Sequence, residues 1–449
     1  MVRSHAFDPR EVASAIFEEA VKAGDVGTLL PDLLHLDDDR FAVQGCRFDL
    51  SRNHRILVIG GGKASGAMAE SIEAILGDRI TDGVVVVKAG DPSRTRRVRL
   101  VQAGHPIPDY AGLEGAREVL RLARSASAED LVICLLSGGG SALLPAPVPT
   151  ITFAEKREVT HLLLEAGATI REVNVVRKHL SILKGGHLAR AVAPATLLAL
   201  ILSDVIGDSL DVIASGPTVP DPSTYADAIG ILRLYGLEVR TPPLVLAHLS
   251  RGAGGMVPET PKPSDPLFRH VTNCVIGTNR LLIDGAMEAA RGHGMTPILH
   301  TDRLQGHARD AAKQLVAVAR EMRNRRADDL PICLIAGGET TVTVQGQGKG
   351  GRCQEFCLAV AIEIEGEPEM TVLAGGSDGT DGPTDAAGAL ADGSTVARAT
   401  RTGLDPRLFL ERNDSYTFFS RLGDLIVTGP TRTNLMDLYL ILVSPRDAQ

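Results

Sequence analysis

Lys63 stands directly after three glycines, Gly60-Gly61-Gly62, where the apolar run 56–59 gives out. Glycines let a backbone approach an anion closely, and a helix starting at such a turn offers free N–H groups and the positive end of its dipole. A lysine is unfavourable at that end unless an anion compensates it, so Lys63 is read as a phosphate-facing cation. Arg352 repeats the arrangement after the glycine-rich run 346–351. Its planar guanidinium can grip a phosphate or carboxylate in a two-pronged way. Two further turns, Ser137-Gly138-Gly139-Gly140-Ser141 and Gly337-Gly338-Glu339-Thr340, also follow apolar runs and read as phosphate cradles, with Asn279 added from Gly277-Thr278-Asn279. Asp204 ends the run 197–202 and suits a substrate hydroxyl or Mg2+, or simply a helix cap. The loop 376–385 carries Asp378, Asp381 and Asp385 but no spaced terminal Glu, so Asp378 and Asp381 read as transient Mg2+–nucleotide ligands rather than a calcium loop. Cations at helix starts, glycine turns and strand-end acids suffice for phosphoryl transfer, where positioning and charge neutralisation supply most of the catalysis.

Better-known chemistries fit less well. Leu57 and Ala64 replace the first Gly and the Ser/Thr of a Walker A loop. Ser65 replaces the third glycine of a dinucleotide fingerprint, and the next strand ends in Lys88 rather than an acid for a ribose. There is no Gly-x-Ser-x-Gly elbow and no HExxH; His105, His179 and His307 fit core or surface roles better than catalytic ones. Six cysteines form no CxxC pair, and Cys353 and Cys357, one helical turn apart, have no further His or Cys nearby for zinc.

The elements that must hold these residues alternate. Strands are expected at 55–59, 83–87, 98–101, 131–136 and 197–202, with helices at 67–76, 111–125 and 153–165 between them, after an entry helix at 7–23. Continuous apolar strands separated by helices build a Rossmann-like, doubly wound parallel sheet. A basic stretch, 171–184, carries Arg177, Lys178, His179 and Lys184 and is stopped by Gly185-Gly186. Six prolines in 241–266 suggest a linker. A second α/β unit follows, with strands at 271–276, 296–300, 332–335, 340–344, 370–373 and 425–427 and helices at 280–291, 306–323 and 353–364. The expected domains are 1–240 and 267–449, with 241–266 between them. Two domains suit 449 residues, and a formal charge of −8 argues against broad nucleic-acid or anionic-membrane binding. No apolar stretch reaches the roughly 18 residues of a membrane span, and residues 1–10 hold no signal-peptide core, so a cytoplasmic protein is expected.

Taken in order, Gly60-Gly61-Gly62-Lys63-Ala64-Ser65, Leu136-Ser137-Gly138-Gly139-Gly140-Ser141, Ser203-Asp204-Val205, Ala214-Ser215-Gly216-Pro217-Thr218, Gly337-Gly338-Glu339-Thr340, Gly350-Gly351-Arg352-Cys353-Gln354-Glu355 and Gly376-Ser377-Asp378-Gly379-Thr380-Asp381-Gly382 resemble the glycerate 2-kinase family. The resemblance runs from about Phe7 to the end and closes with Thr428-Gly429-Pro430-Thr431-Arg432-Thr433-Asn434, where Arg432 stands at a position expected to be glycine. It implies a Rossmann-like N-terminal domain, a smaller C-terminal α/β domain called MOFRL, and an active site in the cleft between them. The implied reaction moves the γ-phosphate of ATP, with Mg2+, to the 2-hydroxyl of D-glycerate, giving 2-phosphoglycerate and ADP. Lys63 and Arg352 map onto the family's basic catalytic pair, and Asp204 becomes the candidate for orienting the 2-hydroxyl. Partners are then small molecules, without nucleic acid or membrane; a homodimer is left open. One alternative is an NAD(P)H-dependent hydroxypyruvate reductase, a label some members carry, with Lys88 accepting a 2′-phosphate; another is a non-catalytic nucleotide- or sugar-acid-binding protein.

Overall fold

A computed structural model describes residues 8–52, 54–325 and 331–444. Its contacts divide the chain into two compact units: one from Val26 to Ile276, the other combining the chain up to Asp25 with the chain from Gly277 onward.

The first unit opens with a small antiparallel sheet, β1 (Leu34–Asp37), β2 (Arg40–Val43) and β3 (Cys46–Asp49). Its main sheet comprises β4 (Ile56–Gly61), β5 (Ile80–Lys88), β6 (Val98–Ala103), β7 (Leu131–Leu136), β8 (Thr196–Leu202) and β9 (Val271–Gly277), in the order β6-β5-β4-β7-β8-β9. β4 to β8 pair in parallel. Every residue of β4 and β7 is buried, as the unbroken apolar runs require when helices cover both faces. Helix Tyr110–Arg124 shows how one face is covered: Asp109 caps it by accepting the Gly112 N–H at 2.8 Å, and Leu113, Ala116, Leu120 and Ala123 bury a stripe at helical spacing. The expected linker is not free chain. Pro243 begins the helix Pro243–Ala253, where a missing N–H does no harm, and Val245 and Leu249 pack with Val176, Ala228 and Leu232 in the same unit.

The second unit holds β10 (Thr296–Leu304), β11 (Ile332–Gly338), β12 (Met370–Gly376), β13 (Gly388–Asp392), β14 (Leu425–Ile426) and β15 (Asp437–Val443), in the order β10-β11-β15-β12-β13-β14. β15, which the sequence reading omits, runs antiparallel between β11 and β12. All seven of its residues are buried, each Leu or Ile contributing about 1.5–3 kcal/mol relative to exposure. Tyr439, Ile441 and Val443 share a core with Phe356, Cys357 and Val360. The expected strand at 340–344 is reduced to a single bridge between His307 and Thr341. Helix Pro9–Ala23 belongs to this unit: Phe17 lies over Gly375, where a β-carbon would stand 2.6 Å from its ring, and Arg10 pairs with Asp392 and Asp424. Arg432 adopts φ +64°, the left-handed conformation that glycine takes without strain.

Close approach of β4 and β7 generates a stability test. A β-carbon on Gly60 would lie 2.0 Å from the Leu135 carbonyl oxygen, whereas one on Gly77, also at positive φ, would meet nothing within 4 Å. Gly60→Ala is expected to cost more than about 3 kcal/mol and Gly77→Ala about 1 kcal/mol. Equal losses in chemical denaturation would show that the strands can spread to admit the methyl group.

Candidate active site

Strand order in the first unit reverses between β4 and β7, the place where open parallel sheets bind ligands beyond their carboxyl ends. Gly61 pairs in register with Leu136, so the turns that follow lie side by side and bond to each other. The Lys63 N–H donates to the Gly138 carbonyl at 2.8 Å and the Ala64 N–H to Ser137 Oγ at 3.0 Å. The Gly62 N–H donates to the Val86 carbonyl at 3.1 Å and the Ser65 N–H to the Gly62 carbonyl at 3.3 Å. The first turn is therefore not the open anion cradle expected of Gly60, Gly61 and Gly62. Its glycines answer to crowding: a β-carbon on Gly62 would lie 2.1 Å from Ser137 Oγ. Ser137, fully buried, is a structural hydroxyl. The start of helix Ser65–Leu76 already has an acid over it, since a β-carbon on Gly66 would stand 2.6 Å from Asp91 Oδ1.

What can meet an anion here is the Lys63 side chain and the second turn. Lys63 is partly exposed, and a β-carbon on Gly139 would lie 3.0 Å from both Lys63 Cγ and His105 Nε2, so these two side chains flank Gly139. The N–H groups of Gly138 and Gly139 meet no acceptor among the described residues. Gly140 sits against Gly61 and Ala214, and Ser141 Oγ lies 2.7 Å from Ser215 Oγ, which donates to Asn174 Oδ1 at 3.0 Å. Asp204, partly buried, is the second residue beyond β8.

In the second unit Gly338 and Gly376 both lie opposite Asp437, the first residue of β15. Arg352 opens the helix Arg352–Glu363 and gives its fork to this buried carboxylate: Nε to Oδ2 at 2.5 Å and Nη2 to Oδ1 at 2.9 Å. Its Nη1 stands 2.6 Å from Glu339 Oε1. The two-pronged grip expected for a ligand is thus made with Asp437. Burial works against the arginine's charge, but Asp437 and then Glu339 outweigh it and hold the proton more firmly than usual. The Tyr439 hydroxyl donates to Asp437 Oδ2 at 3.1 Å and accepts the Thr340 N–H at 3.2 Å. The run 346–351 is packed rather than open: Asn413 Oδ1 accepts the Gln345 and Gly346 N–H groups, and a β-carbon on Gly346 would lie 2.1 Å from the Arg412 carbonyl oxygen. Gly337 is pressed by Asn279, whose buried Nδ2 donates to the Leu435 carbonyl at 2.6 Å. Gly337, Gly338, Thr340 and Asn279 thus make close contacts within the unit at the strand ends, and Glu339 pairs with Arg352.

The expected Mg2+ ligands are engaged elsewhere. Asp381 accepts the Cys353 and Gln354 N–H groups at 3.1 and 2.9 Å, capping the Arg352 helix, and burial pushes its pKa up to about 7. Asp378 Oδ1 accepts both the N–H and the hydroxyl of Thr380 at 3.0 Å. Among the described residues no three His, Cys, Asp or Glu side chains could hold a metal ion together. Asp378 and Asp381 do not fit a protein-built magnesium cage. Asp437, Asp91 and Asn174 belong to none of the motifs, although Asp437 heads the apolar run 438–443, and Ser215 is legible only as part of the turn 214–218.

A lysine and a glycine turn at the reversal point of a doubly wound sheet, in one chain with a mixed α/β unit, define a two-unit α/β enzyme. Residues 12–250 match a family described as a domain of unknown function, DUF4147, and residues 332–437 match the MOFRL family. A Pyrococcus horikoshii protein named glycerate 2-kinase is 40% identical over 443 residues, 98% of this chain and 99% of its own length. An Agrobacterium vitis relative, 41% identical over 398 residues and 87% of each chain, carries the provisional name hydroxypyruvate reductase. The solved glycerate kinase of Thermotoga maritima superposes with a TM-score of 0.81 at 38% identity, covering 97% of this chain and 99% of that one. The chain belongs to the glycerate 2-kinase family. Among the described residues no helix is long and apolar enough to cross a membrane.

The knot at Asp437 is directly testable. Removing Arg352 leaves a carboxylate that is 1% exposed without its cation. Arg352→Met is expected to lose about 2 kcal/mol or more, the arginine's partial exposure keeping the loss below that of a fully buried pair. Adding Asp437→Asn should recover part of it, a coupling measurable by a denaturation double-mutant cycle. Strictly additive losses would show that the pair is not coupled.

Proposed function

We propose that this chain transfers the γ-phosphoryl group of ATP to the 2-hydroxyl of D-glycerate. The observation that carries the reading is Lys63 beside Gly139 and His105 at the sheet's reversal point, in a chain aligned over nearly its whole length with a relative named glycerate 2-kinase. Lys63 neutralises charge that builds on the phosphoryl oxygens as the bond to the leaving oxygen breaks, and the N–H groups of Gly138 and Gly139 donate to phosphate oxygens. Asp204 orients the attacking hydroxyl. Magnesium in this reading arrives with the nucleotide, since Mg2+ keeps several waters and binds through substrate phosphates more than through dedicated protein cages. The substrates are small molecules, and the cytoplasm is the compartment the reading favours.

Lys63→Ala is expected to lower kcat by about 10²-fold or more, with circular dichroism unchanged. Turnover within a few-fold of wild type, followed by ADP release with glycerate, would reduce Lys63 to a surface residue. NADPH with hydroxypyruvate in place of ATP and glycerate should show no absorbance change; oxidation of NADPH would favour the reductase name that the Agrobacterium relative carries.

A further inference from the structure

Ser141, at the end of the second glycine turn, also lines a cavity of about 490 Å3 within the first unit. Pro106, Ile107, Phe153 and Leu164 give it an apolar lining; Lys156, Arg177 and Lys184 bring three positive groups to it, and the exposed Arg157 stands as a fourth beside Glu158. Lys184 is 1% exposed, and its Nζ has no hydrogen-bond partner among the described residues. Lys156 is 6% exposed, and its Nζ reaches only the Ala146 carbonyl, at 3.4 Å. Arg177 has no carboxylate partner among the described residues. The acids nearby are committed to its neighbours: Lys178 lies 3.4 Å from both Asp211 and Asp221, and His179 lies 3.3 Å from Glu259. Glu158 is the one acid lining the cavity; it is exposed and stands with Arg157 and His161.

Buried charges without counter-charges are costly, and three of one sign converging on a cavity repel as well. The lysines register that cost. Burial, and then Arg177, push Lys156 down to about 7, and burial with both neighbours pushes Lys184 well below its ordinary range; no acid lifts either one. A bound anion would restore the charge of both lysines and give Arg177, which stays charged, a partner. A lone carboxylate carries one negative charge against three positive groups, whereas a phosphate carries up to two and a polyphosphate more. Arginine's fork and two lysine point charges are the usual means of holding such oxygens.

We propose that Lys156, Arg177 and Lys184 bind a multiply charged phosphate group, with the body of the molecule that carries it against Phe153 and Leu164. That the site takes phosphate stands on the cavity's charge; that the source is ATP or 2-phosphoglycerate rests on the kinase reading. Isothermal titration at fixed ionic strength, with ATP, 2-phosphoglycerate, pyrophosphate and glycerate offered separately, tests it without turnover. Lys184→Met and Arg177→Gln are each expected to weaken at least one phosphate-bearing ligand by about 10-fold or more while leaving glycerate unchanged. Weakened ATP makes this the nucleotide's site, and weakened 2-phosphoglycerate with ATP unchanged makes it the product's. Arg177→Gln, on a partly exposed helix position, carries the test if Lys184→Met does not fold. Wild-type affinities in the folded variants, a loss confined to glycerate, or a wild-type protein that binds none of the four ligands would each overturn the proposal. Lost phosphate binding in a protein without phosphoryl transfer would instead sink the kinase reading and leave the site standing.

Discussion

No β-carbon fits between residue 60 and the Leu135 carbonyl oxygen, 2.0 Å from where that carbon would be. The rest of the first site depends on this approach. It lets β4 and β7 pair to their last residues, which brings Ser137 and Gly138 within hydrogen-bonding reach of the turn that carries Lys63. Backbone N–H groups that could have met a ligand are consumed in locking the two turns together. The return is a lysine held on a rigid support at the point where the sheet opens, beside a second turn whose N–H groups remain available. Catalysis by charge neutralisation depends on such fixed placement, because a group that must move into position loses part of its effect.

The molecule treats its interior cations in two ways. Arg352 receives an acid at each side, Asp437 and Glu339, and Lys178 receives two aspartates. Lys156, Arg177 and Lys184 receive none that the described residues supply. The first kind of cation braces backbone: the Arg352–Asp437 contact ties a helix start to the head of a central strand. The second kind has no such tie, and in the phosphate proposal its partner is a ligand.

Much of the fold could be read from the sequence, because a buried strand announces itself as an apolar run that stops abruptly; β4, β7, β11 and β12 stop at or just before glycine, and β8 stops at Ser203-Asp204. Helix Pro9–Ala23 was equally legible from its Asp8-Pro9 start, although its membership of the unit beginning at Gly277 was not, since that depends on Phe17 meeting Gly375. β15 escaped because an expectation of strands alternating with helices leaves no place for an antiparallel strand inserted between two others. The glycines were the least legible part of the site. An absent side chain serves an approaching phosphate and an approaching carbonyl equally well, and only the fold shows that Gly60, Gly62 and Gly346 answer to the carbonyl or hydroxyl of a neighbour. Arg352 shows the same limit at long range: its partner lies 85 residues further along the chain. Lys156 was not singled out at all, and Arg177 and Lys184 read only as part of a basic stretch, because their shared cavity exists only once the helices have packed.

Phosphorus NMR of the products formed from ATP, Mg2+ and D-glycerate tests the central claim most directly. The account predicts that the γ-phosphate resonance of ATP decays as ADP and 2-phosphoglycerate resonances grow together. An ATP spectrum that stays unchanged in the presence of glycerate, or phosphorus arriving on the 3-hydroxyl, would contradict it.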